Sequence, residues 1–109
     1  MVNSHHAALD RVFTTLAHPT RRAIALRLAQ GDATAGELAR PFDVSLPAIS
    51  RHLRVLEEAE LVSRQRRGRH HVLELRSEPL RLAEGWFATY RAFWESRLDD
   101  LGRHLEEHP

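Results

Sequence analysis

The chain has 109 residues, of which 42% are hydrophobic, and its formal net charge is +1. This length suits one domain with a modest core, and no apolar stretch approaches the roughly 18 residues that a membrane span needs. Because the sequence contains no cysteine, disulfides, thiolate metal sites and cysteine nucleophiles are excluded. We expect one cytoplasmic domain without a secretion signal.

The basic charge is concentrated in one part of the chain. All sixteen basic residues are arginines, and residues 61–76 hold five of them against one acid, Glu74. Guanidinium groups bind phosphates and guanine edges through paired hydrogen bonds. From charge alone, a phosphate-binding segment and a solvated arginine-rich hairpin are equally good interpretations.

Hydrophobic periodicity predicts two helices in the first thirty residues. The first covers residues 7–17. The second begins near Pro19, which fits the first turn of a helix, and stops at Gly31, which is typical of a helix C-terminus.

Two capping signals predict the next pair of helices. Thr34 and Glu37 have the spacing of a capping box, so a short helix is expected over residues 34–40. Ser45 is a favourable N-cap for a fourth helix over residues 45–59. The two helices are joined by only a few residues.

The period of the pattern changes after the fourth helix. Residues 61–67 and 71–76 predict two short strands, joined by a turn at Gly68 that permits a positive φ. One long final helix is expected over residues 79–105.

This order of elements indicates a mainly α fold with a small β-hairpin, the winged helix-turn-helix (α-α-α-α-β-β-α). Two short helices joined by a tight turn, the second opening on a small polar N-cap, are typical of a DNA-reading unit. Ala48 could approach a thymine methyl group, and Arg51 could reach guanine or phosphate. The residues expected to face DNA from the second helix are Ser45, Leu46, Pro47, Ala48, Ser50, Arg51, His52 and Arg54.

The arginine-rich hairpin is expected to be the wing. Its arginines could straddle a minor groove or the adjacent phosphates of double-stranded DNA. The expected wing contacts are Arg64, Arg66, Arg67, Gly68, Arg69 and His70.

The sequence resembles the ArsR/SmtB family of bacterial winged-helix repressors from about residue 8 to residue 105. The segments that carry the resemblance are residues 16–22, 36–39, 45–56, 59–62 and 67–69. Residues 45–56, SLPAISRHLRVL, are the most specific part. The resemblance implies a homodimeric repressor that releases DNA when an inducer binds. Residues 86–101 are also similar to a branch with aromatic residues in the last helix, which often lacks recognised metal ligands.

The last predicted helix points to a dimer. Five of the seven aromatic residues lie between residues 86 and 94, in an apolar stripe broader than packing on one side requires. We expect an isologous two-fold interface with the first helix, and hence a palindromic operator; the alternative is that these residues are monomer core. The expected interface residues are Leu9, Phe13, Trp86, Tyr90, Phe93, Trp94, Leu98 and Leu101. Within the single domain 1–109, residues 8–78 would bind DNA and residues 79–105 would dimerise.

Eight histidines suggest a zinc or nickel sensor as an alternative. The resemblance implies a possible second-half site at His104 and Glu107, but the matching first half would fall at residues 91–93 and fails. Zinc needs three or four ligands held together, so we expect no metal and no cofactor. The terminal histidines that leave the alternative open are His5, His6, His104 and His108. We expect His52 to position the recognition helix or to bind phosphate.

The leading hypothesis is therefore a DNA-binding homodimeric repressor that an unidentified non-metal signal releases, and an unidentified small-molecule inducer would be one such signal. A protein-interaction module that uses the aromatic helix is a further alternative. An enzyme is not expected, since the sequence has no nucleophile–base pairing, phosphate loop or complete metal constellation.

Overall fold

The computed structural model describes residues 4–107, and for residues 4 and 5 the backbone alone. The elements in chain order are α1 (Ser4–Leu16), α2 (Pro19–Ala29), β1 (Ala33–Thr34), α3 (Ala35–Ala39), α4 (Leu46–Glu58), β2 (Val62–Arg67), β3 (His70–Leu75), α5 (Ser77–Ala88) and α6 (Arg91–Glu107). This order confirms the winged helix-turn-helix fold. No helix in the described range is both long and apolar enough to cross a membrane.

The helix starts follow from local capping. Thr34 and Glu37 form the predicted capping box, with the Glu37 N–H donating to Thr34 Oγ1 over 3.2 Å and the Thr34 N–H to Glu37 Oε1 over 3.1 Å. These hydrogen bonds hold the pKa of Glu37 below its ordinary value. Ser45 caps α4 by accepting a 3.3 Å hydrogen bond from the Ala48 N–H. Both predicted caps are confirmed.

The C-terminus of α4 has an unusual residue. Glu60 adopts φ 61°, a left-handed conformation that helices usually assign to glycine. The Leu61 N–H donates to the Leu56 carbonyl over 3.0 Å, and the Glu60 N–H donates to the Glu57 carbonyl over 3.0 Å. These bonds reverse the chain and lead it into β2.

The sheet has three antiparallel strands in the order β1-β3-β2. The predicted hairpin is confirmed, with Arg67 opposite His70 and Gly68 at φ +63° in the turn. The sequence prediction missed β1, which pairs Ala33 with Leu73. A strand of two residues is too short to show the alternation on which strand prediction depends.

The core fixes the orientation of α4. Its inward residues, Ile49, Leu53 and Leu56, are fully buried, as the sequence predicted. They pack in one cluster with Leu38 of α3 and Leu73 of β3. Since these residues occupy one face of α4, the opposite face is directed to solvent.

The prediction of one long final helix is wrong, because the chain breaks between α5 and α6. The hydroxyl of Thr89 donates to the Gly85 carbonyl over 3.1 Å, and the Tyr90 N–H bonds to the Phe87 carbonyl, three residues back, over 3.0 Å. Hydroxyl groups that bond to the preceding turn bend helices. Thr89 and its hydroxyl bond therefore mark the place where α5 ends, although the periodicity continues.

The second of these helices extends away from the core. The radius of gyration is 18.6 Å and the longest dimension is 64 Å, whereas a compact domain of this length has a radius of gyration of about 13 Å. Helix α6 has no buried residue within its described range. The C-terminal helices therefore leave a large surface uncovered.

Candidate nucleic-acid interface

The start of α4 presents the predicted reading face. Ser45, Leu46 and Pro47 are exposed, and Arg51 and Arg54 follow on the solvent side. Leu46 is 52% exposed, although it is apolar. The remaining predicted residues, Ala48, Ser50 and His52, are half-buried at the edge of this face.

The reading face offers two kinds of contact. The oxygen of Ser45 accepts the capping bond with one lone pair, so its hydroxyl proton and its second lone pair remain available to DNA. Leu46 and Ala48 offer apolar contact of the kind that thymine methyl groups accept, and Arg51 offers a guanidinium fork. The face can therefore combine methyl contacts with charged contacts from Arg51 and Arg54.

Two wing arginines form ion pairs within the protein. Arg64 pairs with Glu57 of α4 over 2.9 Å. Arg67 pairs with Asp32 over 3.1 Å and with Glu74 over 2.7 Å. These exposed pairs contribute little stability, but they link the wing to α4 and to the loop after α2. The structure thus places Arg64 and Arg67 where they orient the hairpin.

The hairpin tip carries the arginines that are not neutralised. Arg66 donates from Nε to the Gly68 carbonyl over 3.2 Å, and Arg69 has no ion pair within the described residues. Both side chains are exposed, as is His70. Of the predicted wing residues, Arg66 and Arg69 at the tip have a free positive charge to offer to DNA.

A contact between α2 and α4 escaped the sequence prediction. Arg21 donates from Nε to the Thr15 carbonyl over 2.6 Å, and its Nη1 lies 3.4 Å from Nδ1 of His52. The ring of His18 lies 4.5 Å from the ring of His52. Contacts between residues 31 positions apart leave no periodic signal, although His18 and Arg21 lie in a segment that carries the family resemblance.

This environment disfavours the charged form of His52. Burial lowers the pKa of His52 below its ordinary value, and the neighbouring His18, Arg21 and Arg51 lower it further. A neutral imidazole can accept the hydrogen bond from Arg21. The geometry fits the predicted role of His52 in positioning the recognition helix α4.

The predicted interface residues lie on two joined surfaces. Phe13 of α1 contacts Trp86 and Phe87 of α5 edge to face, with ring centroids 5.4 Å and 6.0 Å apart, and Tyr90 lies 5.0 Å from Trp86. Leu9 is half-buried. The uncovered apolar residues of α5 and α6, called here the aromatic face, are Trp86, Phe87, Tyr90, Phe93, Trp94, Leu98, Leu101 and Leu105.

In the part of the chain that the structure describes, no three histidine, aspartate or glutamate side chains are grouped so that they could hold a metal ion. His108 and the side chain of His5, which the terminal-site alternative needs, lie outside the described residues.

Comparison with known proteins agrees with this geometry. A family model described as a helix-turn-helix domain matches residues 16–65. The transcriptional repressor SdpR of Bacillus subtilis is 37% identical over 82 residues, which cover 75% of this chain and 91% of SdpR. The HTH-type transcriptional regulator Rv2034 of Mycobacterium tuberculosis is 47% identical over 72 residues, which cover 66% of this chain and 67% of that protein.

A solved structure extends the likeness to the fold. The crystal structure of an ArsR-family transcriptional regulator matches with a TM-score of 0.74 and 38% sequence identity, over 88% of this chain and 98% of the other. The resemblance stated from the sequence is therefore confirmed. The chain belongs to the ArsR family of winged helix-turn-helix regulators, which bind DNA to control transcription.

Proposed function

We propose that this protein is a homodimeric repressor that binds a palindromic operator through α4 and the tip of the wing, and that a signal other than a metal ion releases it. The observation that carries the proposal is the exposed reading face of α4, held outward by a fully buried opposite face. The repressor role is supported by SdpR, which is named a transcriptional repressor.

We assign base recognition to α4 and contacts to the DNA backbone to the wing. Leu46 and Arg51 stand on the side of α4 that the core leaves free, where base edges in a major groove can be reached. Arg66 and Arg69 stand at the hairpin tip, where a minor groove or its phosphates can be reached. The protein acts by binding and needs no catalytic group.

Dimerisation is supported by the aromatic face. Its eight large apolar side chains are between 41% and 66% exposed, and contiguous apolar surface of this kind marks interaction sites. We propose that a second copy of the chain covers the aromatic face, because a two-fold axis places this surface of one protomer against the same surface of its partner. The same axis gives two reading helices for two halves of an operator.

A metal-independent signal is supported by the ligand inventory. The sequence has no cysteine, and residues 91–93 are Arg-Ala-Phe, which supplies no aspartate or histidine to complete the half-site at His104 and Glu107. Titration of zinc or nickel into the DNA complex should leave the affinity unchanged. Metal-dependent release would favour the sensor alternative.

Gel-shift titration on the promoter of the protein's own operon tests the proposal. We expect binding that prefers this sequence over random duplex and weakens as salt rises. The Arg51→Ala variant should lose specific binding far more than non-specific binding. Equal losses would reduce Arg51 to a phosphate contact, and the absence of any sequence preference in the unmodified protein would refute the proposal.

A further inference from the structure

A notch lies between α2 and α4. Its volume is about 210 Å³, and it is lined by Arg21, Ala48, Arg51, His52 and Val55. This equals the volume of about seven water molecules, which is ample for a tetrahedral oxyanion. None of the described residues that line it is acidic.

The two arginines of the notch differ from those of the wing. Arg64 and Arg67 are neutralised by carboxylates, whereas neither Arg21 nor Arg51 has an ion pair among the described residues. Uncompensated guanidinium groups that converge on a cavity favour an anion, and the planar fork suits phosphate oxygens.

Arg21 is also held in place before any ligand arrives. Its Nε is fixed by the Thr15 carbonyl at 2.6 Å and its Nη1 faces His52, so the guanidinium loses little freedom on binding. In the described structure Nη2 has no hydrogen-bond partner. A preorganised donor of this kind costs less entropy to use than a mobile one.

The notch lies next to the reading face. Ala48 and Arg51 belong both to its wall and to the set of residues expected to meet bases. When the start of α4 enters a major groove, the groove's sugar-phosphate backbone runs along its edge, which is where a contact from α2 would fall. Contacts to phosphates from outside the reading helix set the register of a protein on the duplex.

We infer that Arg21, in the notch whose wall Arg51 and His52 complete, binds one backbone phosphate of the operator, so that α2 joins α4 and the wing in holding DNA. The inference rests on the DNA binding proposed above. Free phosphate offers the same chemistry, and the experiment below separates the two sources.

The first experiment compares salt dependence in two neighbouring variants. Arg21→Gln removes the notch charge, whereas Arg22→Gln is the control, because Arg22 donates to the carbonyls of Leu16 and Ala17 and does not line the notch. Fluorescence anisotropy on operator and random duplex should give R21Q a log–log salt slope smaller by about 0.9 than that of the parent. If the two proteins bind equally at 1 M salt, R21Q should bind about eightfold more weakly than the parent at 0.1 M salt. Arg21→Lys should restore the slope, and R22Q should keep it.

The second experiment locates the phosphate, first with the unmodified protein and then with R21Q. Methylphosphonates, which are uncharged, replace the operator phosphates one at a time in complexes with the unmodified protein. One position should weaken binding and shift the NMR signal of the Arg21 Nε–H. The same replacement should weaken R21Q much less, because the charge that it would have met is gone.

The outcomes separate the hypotheses. An unchanged slope in R21Q with intact DNA binding in the parent would overturn this inference alone, whereas failure of the parent to bind DNA would overturn it together with the proposed function. Inorganic phosphate at millimolar concentration could shift the NMR signals of the His52 ring in the DNA-free protein while no methylphosphonate shifts the signal of the Arg21 Nε–H. In that case the notch is a free-phosphate site, and its assignment to a DNA backbone phosphate is wrong.

Discussion

Two leucines of equal exposure offer a test of the dimer interface. Leu98 lies on the aromatic face of α6 and Leu26 lies on α2, and each is 66% exposed in the single chain. In the proposed dimer only Leu98 becomes covered. Leu98→Ala should therefore weaken dimerisation, whereas Leu26→Ala, the same change at the same exposure, should not.

The magnitude follows from the exposed fraction. Complete burial of a leucine side chain contributes about 1.5–3 kcal/mol, so covering the 66% that is exposed at Leu98 contributes about 1–2 kcal/mol. The two-fold axis repeats the substitution, which gives about 2–4 kcal/mol for each dimer. This corresponds to a dimer Kd raised about 30-fold to 700-fold.

Sedimentation equilibrium over a range of protein concentrations measures this shift. The parent and L26A should share one dimer Kd, and L98A should dissociate at higher concentrations. Circular dichroism of each variant at low concentration checks that the monomer fold is intact. Equal dimer Kd values for L98A and L26A, or a parent that is monomeric at every concentration, would refute the assignment of the aromatic face.

Three further predictions concern stability, pH and the wing. Glu60→Gly should raise the free energy of unfolding by about 0.5–1 kcal/mol, because a left-handed conformation costs a side-chain-bearing residue about 1–2 kcal/mol and the added glycine entropy offsets part of the gain. Urea unfolding measures this free energy, and a loss of stability in Glu60→Gly would contradict the prediction. Because His52 has a lowered pKa in the folded protein, its contribution to stability is present above about pH 6.5 and is lost as the pH falls from there through the folded-state pKa. The urea midpoint should therefore fall less steeply between pH 7.5 and pH 5.5 in His52→Gln than in the parent. An equal fall in the two proteins would count against the contact between His52 and Arg21. Arg69→Ala should reduce the salt slope of DNA binding by about 0.9, as expected for one lost phosphate contact, whereas Arg67→Ala should mainly loosen the wing. Fluorescence anisotropy should therefore show a larger change of the salt slope in R69A than in R67A. The reverse order would place the DNA contact at Arg67.

Local signals in the sequence predicted most of the DNA-binding part. The capping box at Thr34 and Glu37 and the N-cap at Ser45 act within three residues, so the sequence alone specifies them. The buried face of α4 follows from its periodicity, and Gly68 marks the hairpin turn because few other residues accept its φ of +63°.

Features that depend on distant or weak contacts could not be predicted. The break after α5 coincides with one hydroxyl bond from Thr89, whereas the periodicity continues into α6. The pairing of Arg67 with Asp32 spans 35 positions, so the composition of the wing could not show which arginines are neutralised. The contact between Arg21 and His52 was hidden for the same reason.

Hydroxyl-radical footprinting of the purified protein on the promoter of its own operon measures whether the exposed start of α4 reads DNA in a two-fold pair. We expect two symmetric protected half-sites whose centres are about 10 base pairs, or a whole multiple of this, apart, with the pattern lost in Arg51→Ala. Uniform weak protection, or a pattern that Arg51→Ala leaves unchanged, would contradict this expectation.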